Sequence, residues 1–93
     1  MNRQFLIICK IDMSKLALLE KLRPEHLQYI QSLKKTIRYG GVLLTENNEQ
    51  KGICYIVNAK TISEAKQFIK DDPYYLLYQK VEVDLFEQKL PEE

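Results

Sequence analysis

Hydrophobic and polar positions divide the chain into six blocks. Gln4 to Ile11 is apolar and rich in β-formers, is stopped by Asp12, and predicts a first strand. Met13 to Arg23 carries only a weak helical pattern (Leu16, Leu19, Leu22) and reads as a connection, a short helix or a mobile flap. Pro24 is then expected to open a helix, because a first-turn proline loses no intrahelical bond. Its stripe would be Leu27, Ile30, Leu33 and Ile37, and Gly40-Gly41 would end it by taking left-handed geometry. Val42 to Thr45 predicts a second strand, Glu46 to Lys51 a hairpin loop, and Gly52 to Ala59 a third strand. Thr61 and Glu64 have capping-box spacing ahead of a helix burying Ile62, Ala65, Phe68 and Ile69. Asp72-Pro73 stops that helix. Gln79 to Phe86 alternates, with Val81, Val83 and Leu85 on one face, and predicts the last strand.

The order βαββαβ has a simple compact solution. It is an α+β, ferredoxin-like antiparallel sheet with both helices on one face. No repeat, low-complexity segment or boundary interrupts it, so residues 1–93 are expected to form a single domain with a core at about 4–86 and a charged tail at 87–93. Phe5 to Cys9 is apolar on both faces, a pattern of strands covered on both sides. The helices cover one side, and a second copy of the chain is the economical cover for the other. Lys80, Glu82 and Asp84 would make one edge of that homodimer interface polar.

Composition narrows the partners. Fourteen Lys and Arg against thirteen Asp and Glu give a net charge of +1 in 93 residues, which offers no general attraction to nucleic acid or to an anionic membrane. Lys34, Lys35 and Arg38 form a local basic cluster that a helix C-terminus accounts for. The apolar run at the N-terminus is too short for a secretory leader or a membrane span, so Cys9 and Cys54 are read as reduced core residues of a cytoplasmic protein. One histidine without paired ligand spacing falls short of a metal site. Gly40-Gly41 does not open a helix as a phosphate loop does, so no cofactor is implied.

Few residues remain for chemistry. His26 would flank the inward stripe of the first helix, where it could serve a site or simply hydrogen-bond a loop carbonyl. Asp71 and Asp72 close the second helix, where negative charge is unfavourable unless something offsets it. In a βαββαβ sheet the two helices run antiparallel, so the start of the first and the end of the second share one end of the domain. His26 and Asp72 can meet there, and a carboxylate would orient an imidazole and favour its charged form, against an opposing helix N-terminus. Such a pair suits general acid–base work. Arg23 could hold an anionic group at the same mouth. Tyr74 and Tyr75 could line a pocket, with Tyr29 more distant. Ser14, Ser32 and Ser63 lack a nucleophile elbow, and neither cysteine sits where a thiolate is stabilised.

Arg23-Pro-Glu-His26-Leu-Gln-Tyr29, Gly40-Gly41-Val-Leu-Leu44, Ser63-Glu64-Ala65, Phe68 and Asp72-Pro73-Tyr74 together resemble the YciI-like (YCII-related) family of the dimeric α/β-barrel group, over roughly residues 4 to 86. The resemblance implies a ferredoxin-like fold pairing through its sheets, with a His/Asp-centred site at His26 and Asp72. Similar proteins include a dehydrochlorinase acting on a chlorinated hydroxyquinol; the wider group includes isomerases and cofactor-free monooxygenases. The chain departs from the pattern at Val42, where the family usually has proline, and at Leu85-Phe86 and the charged tail. Two functions follow as expectations. One is a cofactor-independent enzyme using His26 and Asp72 on a small cyclic or aromatic metabolite; the other is a non-catalytic ligand-binding or dimerisation module.

Overall fold

The computed structural model describes residues 2–91. Its elements run β1 (Arg3–Ile11), α1 (Leu18–Ser32), β2 (Ile37–Leu44), β3 (Gln50–Ala59), α2 (Ile62–Lys70) and β4 (Tyr78–Phe86). Short 3-10 turns, Met13–Lys15 and Pro73–Leu77, precede α1 and β4. The four strands form one antiparallel sheet in the order β2-β3-β1-β4, so the expected ferredoxin-like βαββαβ arrangement is present.

Strand alternation sorts the two faces. Phe5, Ile7, Cys9 and Ile11 of β1 and Ile53, Tyr55, Val57 and Ala59 of β3 point at the helices and are buried. They pack with Ala65, Phe68 and Ile69 of α2, Leu19 of α1, and Tyr74 and Leu77 of the second 3-10 turn. The other face carries Leu6 opposite Ile56 and Ile8 opposite Cys54. On its β4 side Asp84 lies beside Leu6, Glu82 beside Ile8, and Lys80 beside Lys10. This outer face thus has the apolar centre and charged edge that the sequence led us to expect. Gly52 permits the tightest strand contact, since a Cβ there would sit 2.5 Å from the carbonyl oxygen of Cys9.

The first helix differs from expectation at both ends. It starts at Leu18 instead of Pro24, and Pro24 lies inside it. Leu19, Leu22, His26, Tyr29, Ile30 and Leu33 form one inward stripe of helical spacing that runs straight across the proline. Pro24 sits on the exposed side, where its cost is one missing backbone bond and a ring clash with the preceding turn. Leu27 is consequently 55% exposed and not part of the buried stripe. At the other end, Gly40-Gly41 does not cap the helix. The helix stops at Ser32, and Ile37 and Tyr39 carry the chain into β2, where Gly40 pairs with Tyr55 and Gly41 with Cys54. No glycine has positive φ among the described residues. β-Branched and aromatic side chains prefer the pleated surface, and here they prevail over the diglycine stop signal. Lys34 and Lys35 still follow the C-terminus of α1, but Arg38 belongs to β2, over the Tyr39 ring.

The second helix follows its local signals. Thr61 Oγ1 accepts the backbone N–H of Glu64 at 3.2 Å, and Ala65, Phe68 and Ile69 are buried. Only Ile62 departs, being 40% exposed.

Candidate active site

The inward stripe of α1 carries one polar member. His26 is 8% exposed, and it faces Asp72, which is 2% exposed. Its Nδ1 lies 2.7 Å from Asp72 Oδ1, across 46 positions of sequence. The antiparallel helices do bring the two residues together as topology predicted. Two details of that expectation are corrected, however. His26 is in the middle of α1 and not its first turn, so the helix N-terminus, whose influence fades within a turn, does not act on it. Asp72 is also not an unfavourable charge on the end of α2. Asp71 is the C-cap and its carboxylate accepts from Gln67 Nε2, whereas Asp72 begins the following 3-10 turn as its N-cap.

That cap orients the carboxylate. Asp72 Oδ1 accepts the Tyr74 backbone N–H at 2.9 Å, and Oδ2 accepts the Tyr78 hydroxyl at 3.4 Å. Pro73 suits the first position of such a turn, since it has no N–H to leave unsatisfied. Tyr74 then lays its ring on the imidazole, with centroids 3.8 Å apart and planes 6° from parallel. The Tyr74 hydroxyl donates to the carbonyl of Leu19 at 3.3 Å. The imidazole is thus held at one edge by Asp72 and on one face by Tyr74. A proton on Nδ1 donates to the carboxylate and leaves the Nε2 lone pair for a ligand.

Beside this pair lies a cavity of about 410 Å³ between α1 and the inner face of β2 and β3. It exists because α1 does not reach over Gly40 and Val42, the inner positions of β2 next to Tyr55 and Ile53. Gly40 keeps it open, as a Cβ there would press to 3.3 Å from the Tyr55 ring. His26, Arg23 and Gln50 are the polar side chains of the lining, and the rings of Tyr55 and Tyr74 join aliphatic side chains and two glycines in the rest. Arg23 is the only Lys, Arg, Asp or Glu in the lining, and it forms no ion pair among the described residues. Val42, the departure from the family pattern, is 54% exposed at the wall.

The remaining candidates lie elsewhere. Tyr75 lines a separate hollow of about 140 Å³ with Lys66 and Lys70. Tyr29 ties α1 to α2 through a hydroxyl bond to the carbonyl of Phe68, and burial together with Asp71 and Asp72 pushes that hydroxyl up to about 12. Burial first, and Asp72 second, push the Cys9 thiol up to about 12, so it is a protonated core residue. Cys54 is a free thiol, half-buried on the outer face. Among the described residues there is no group of three His, Cys, Asp or Glu that could hold a metal, and no helix is long and apolar enough to cross a membrane.

Tyr55 and Tyr78 are part of this region, though sequence reasoning passed over them. Burial, then the charge of Asp72, raises both phenols well above their ordinary range, so they stay neutral. The available signal was alternation: Tyr55 shares the inner face with Ile53 and Val57, and a buried tyrosine usually needs a partner for its hydroxyl.

Comparison with solved structures places the fold. The chain superposes on 5-chloro-2-hydroxyhydroquinone dehydrochlorinase from Burkholderia phenoliruptrix AC1100, solved in complex with 2,5-dihydroxybenzoquinone, with a TM-score of 0.83 and 26% identity over 92% of this chain and 95% of that one. An antibiotic biosynthesis monooxygenase candidate from Bacteroides thetaiotaomicron VPI-5482 shares the fold at a TM-score of 0.56 and 12% identity, covering 99% of this chain and 93% of its own. A conserved protein from Methanosarcina mazei Go1 does so at 0.51 and 13%, covering 95% and 93%. No curated protein sequence matches the chain. The model of the YCII-related domain matches residues 3–87, and the protein belongs to that family, within the ferredoxin-like dimeric α/β-barrel group.

Proposed function

We propose that the protein is a small cofactor-independent enzyme in which His26, oriented by Asp72, moves a proton on a small cyclic or aromatic oxygenated metabolite. The observation that carries this reading is the buried 2.7 Å contact between His26 Nδ1 and Asp72 at the wall of an open cavity. A desolvated carboxylate holds the imidazole in one orientation and compensates the positive charge it gains on accepting a proton. In an elimination, Nε2 takes a proton from a substrate O–H or C–H. The released electron pair forms a C=O or C=C bond, and the leaving group departs from carbon with its own pair, for a net loss of HX. In an isomerisation the same proton returns to another atom of the substrate. Arg23 binds an acidic oxygen at the mouth, while the Tyr74 ring and the aliphatic wall hold a flat body.

The similarity to a dehydrochlorinase makes its named substrate the first compound to test. We expect chloride release from 5-chloro-2-hydroxyhydroquinone or a related halogenated hydroxyquinol. His26→Ala and Asp72→Asn should each lower turnover by about 10²–10⁴, the usual worth of a positioned acid or base. Turnover that survives both changes would overturn the assignment. Saturable binding without turnover of any such compound would favour the ligand-binding module.

A second copy is expected to cover the outer sheet face of what we read as one cytoplasmic domain. Lys10 and Lys80 face each other at one end of the β1–β4 pair, while Glu82 and Asp84 follow along β4. A two-fold pairing could set the partner's acids against these lysines, with Leu6, Ile8 and Ile56 meeting at the centre. Ile8→Asp should then halve the mass measured by sedimentation.

A further inference from the structure

The alternation of β4 puts Val81 and Val83 on the inner face, opposite Cys9 and Ile7. Continued without a break, it would put Gln79 inward and Tyr78 outward. The register instead shifts between Lys10 and Ile11: Lys10 pairs with Lys80, and Ile11 pairs with Tyr78. The extra residue is Gln79, a β-bulge that turns the ring of Tyr78 inward. Bulges beside sites commonly re-aim a side chain in this way. The Tyr78 hydroxyl then reaches Asp72 Oδ2, the carboxylate oxygen that neither His26 nor the Tyr74 N–H uses.

A second observation lies one step further in. The Tyr55 hydroxyl is buried without a hydrogen-bond partner. An orphaned buried hydroxyl is costly and normally finds an acceptor. Its polar surroundings are Tyr78, Asp72, Cys9 and Tyr74. Since Tyr78 spends its only proton on Asp72, its oxygen is free to accept one from Tyr55.

We propose that Tyr78 is a positioning residue of the His26–Asp72 pair, aimed by the Gln79 bulge, and that Tyr55 supports it from behind, so that the orienting unit is a buried chain Tyr55–Tyr78–Asp72–His26. Tyr78 fixes the second carboxylate oxygen and draws part of the negative charge away from the imidazole. The ionisable groups packed around the pair are Cys9, Tyr55, Tyr74, Tyr78, Arg23 and Tyr29. The Tyr55 and Tyr78 phenols are held neutral by burial, so both remain donors across the working pH range.

The consequence for chemistry rests on the function proposed above, but the hydrogen-bond test needs no substrate. Tyr78→Phe keeps the ring and removes the hydroxyl. In ¹⁵N-histidine-labelled protein the His26 Nδ1 proton should move further downfield, because the carboxylate loses a competing donor and binds the imidazole more strongly. Tyr55→Phe should move it in the same direction by less. For a turned-over substrate, Tyr78→Phe should lower kcat several-fold at nearly constant KM. A Nδ1 resonance in Tyr78→Phe identical to that of the unsubstituted protein would overturn the proposal, whatever the activity. Loss of the catalytic reading alone, with the resonance shift intact, would leave the chain of bonds standing. Should Tyr78→Phe fail to fold, ¹³Cζ-tyrosine labelling of the unsubstituted protein decides the matter. Tyr78 should then show two Cζ lines in mixed H₂O and D₂O, as a slowly exchanging hydroxyl does, and a single averaged line would overturn it.

Discussion

The two helices lie on the same face of the same sheet, yet they are built to different rules. α2 has nine residues, a Thr61 cap bonded to Glu64, and a buried apolar face of Ala65, Phe68 and Ile69. α1 has fifteen, has Ala17 as an N-cap without a side-chain hydrogen bond, carries a proline inside, and buries only Leu19 and His26. Its neighbours on the sheet side are equally uneven. α2 packs Phe68 and Ile69 into the core and leaves only a hollow of about 140 Å³ beside it, whereas α1 leaves Gly40 and Val42 uncovered and a cavity of about 410 Å³ beside its histidine. α2 gives all its buried positions to the core; α1 gives Leu19 to the core and His26 to the proposed site. Local rules that agree with one another mark the scaffold, and a place where they conflict is where a site is to be sought.

The sharpest way to break that contrast is to truncate each helix in turn. Phe68→Ala removes a ring in contact with Tyr29 and Tyr55 and should cost about 3–5 kcal/mol, as buried aromatic truncations do. Leu27→Ala, on the exposed side of α1, should stay within about 0.5 kcal/mol. Urea denaturation at equal protein concentration measures both. A cost for Leu27 comparable to that for Phe68 would mean that α1 is also scaffold.

Next in size is the difference between two adjacent acids. Asp72→Ala strips the buried imidazole, the Tyr74 N–H and the Tyr78 hydroxyl of one acceptor together, and should cost about 2–4 kcal/mol as well as turnover. Asp71→Ala, exposed and bonded only to Gln67, should cost less than about 0.5 kcal/mol. Equal losses at the two positions would remove the reason for assigning Asp72 to the site.

This same unevenness explains what was readable in advance. The order of elements, the capped start of α2 and its buried Ala65, Phe68 and Ile69 were legible, because each follows one dominant period or cap, whereas Ile62 is 40% exposed. So was the meeting of His26 with Asp72, which depends on the direction of the helices and not on where α1 begins. The start of α1 was not legible, because Pro24 is a strong helix-opening signal and only the tertiary stripe from Leu19 through His26 to Leu33 overrides it. Gly40-Gly41 misled for a similar reason: the pairing of β2 with Tyr55 and Cys54 holds both glycines extended. The inward turn of Tyr78 was hidden because a one-residue bulge at Gln79 leaves no mark in a polar-apolar pattern.

Pro24 itself supplies the next test. Its pyrrolidine lacks the N–H that would bond the carbonyl of Glu20, one turn before it. Pro24→Ala should restore that bond and stabilise the protein by about 1–3 kcal/mol. If the missing bond at Pro24 helps set the width of the cavity, turnover should fall or KM should rise as stability increases. A Pro24→Ala protein that is less stable than its parent would show that the proline makes a favourable contribution that outweighs the missing bond.

The smallest effect compares the two helix starts directly. Thr61→Ala removes a cap that satisfies the N–H of Glu64 and should lower stability by about 1 kcal/mol. Ala17→Asp should act in the opposite sense, because it puts an acceptor and a negative charge beside the first N–H groups of α1, which no side chain caps. The gain should be smaller, about 0.5 kcal/mol, since the backbone at Ala17 is helical (φ −62°, ψ −22°) and must open toward the extended region before a side chain can cap. The decisive quantity is where that gain goes. Amide exchange should slow from Leu18 to Leu22 and stay unchanged in α2 if the entry to α1 opens independently of the core. Slowing of both helices together would mean that they unfold as one unit, and the division into scaffold and site would then describe their composition and not their stability.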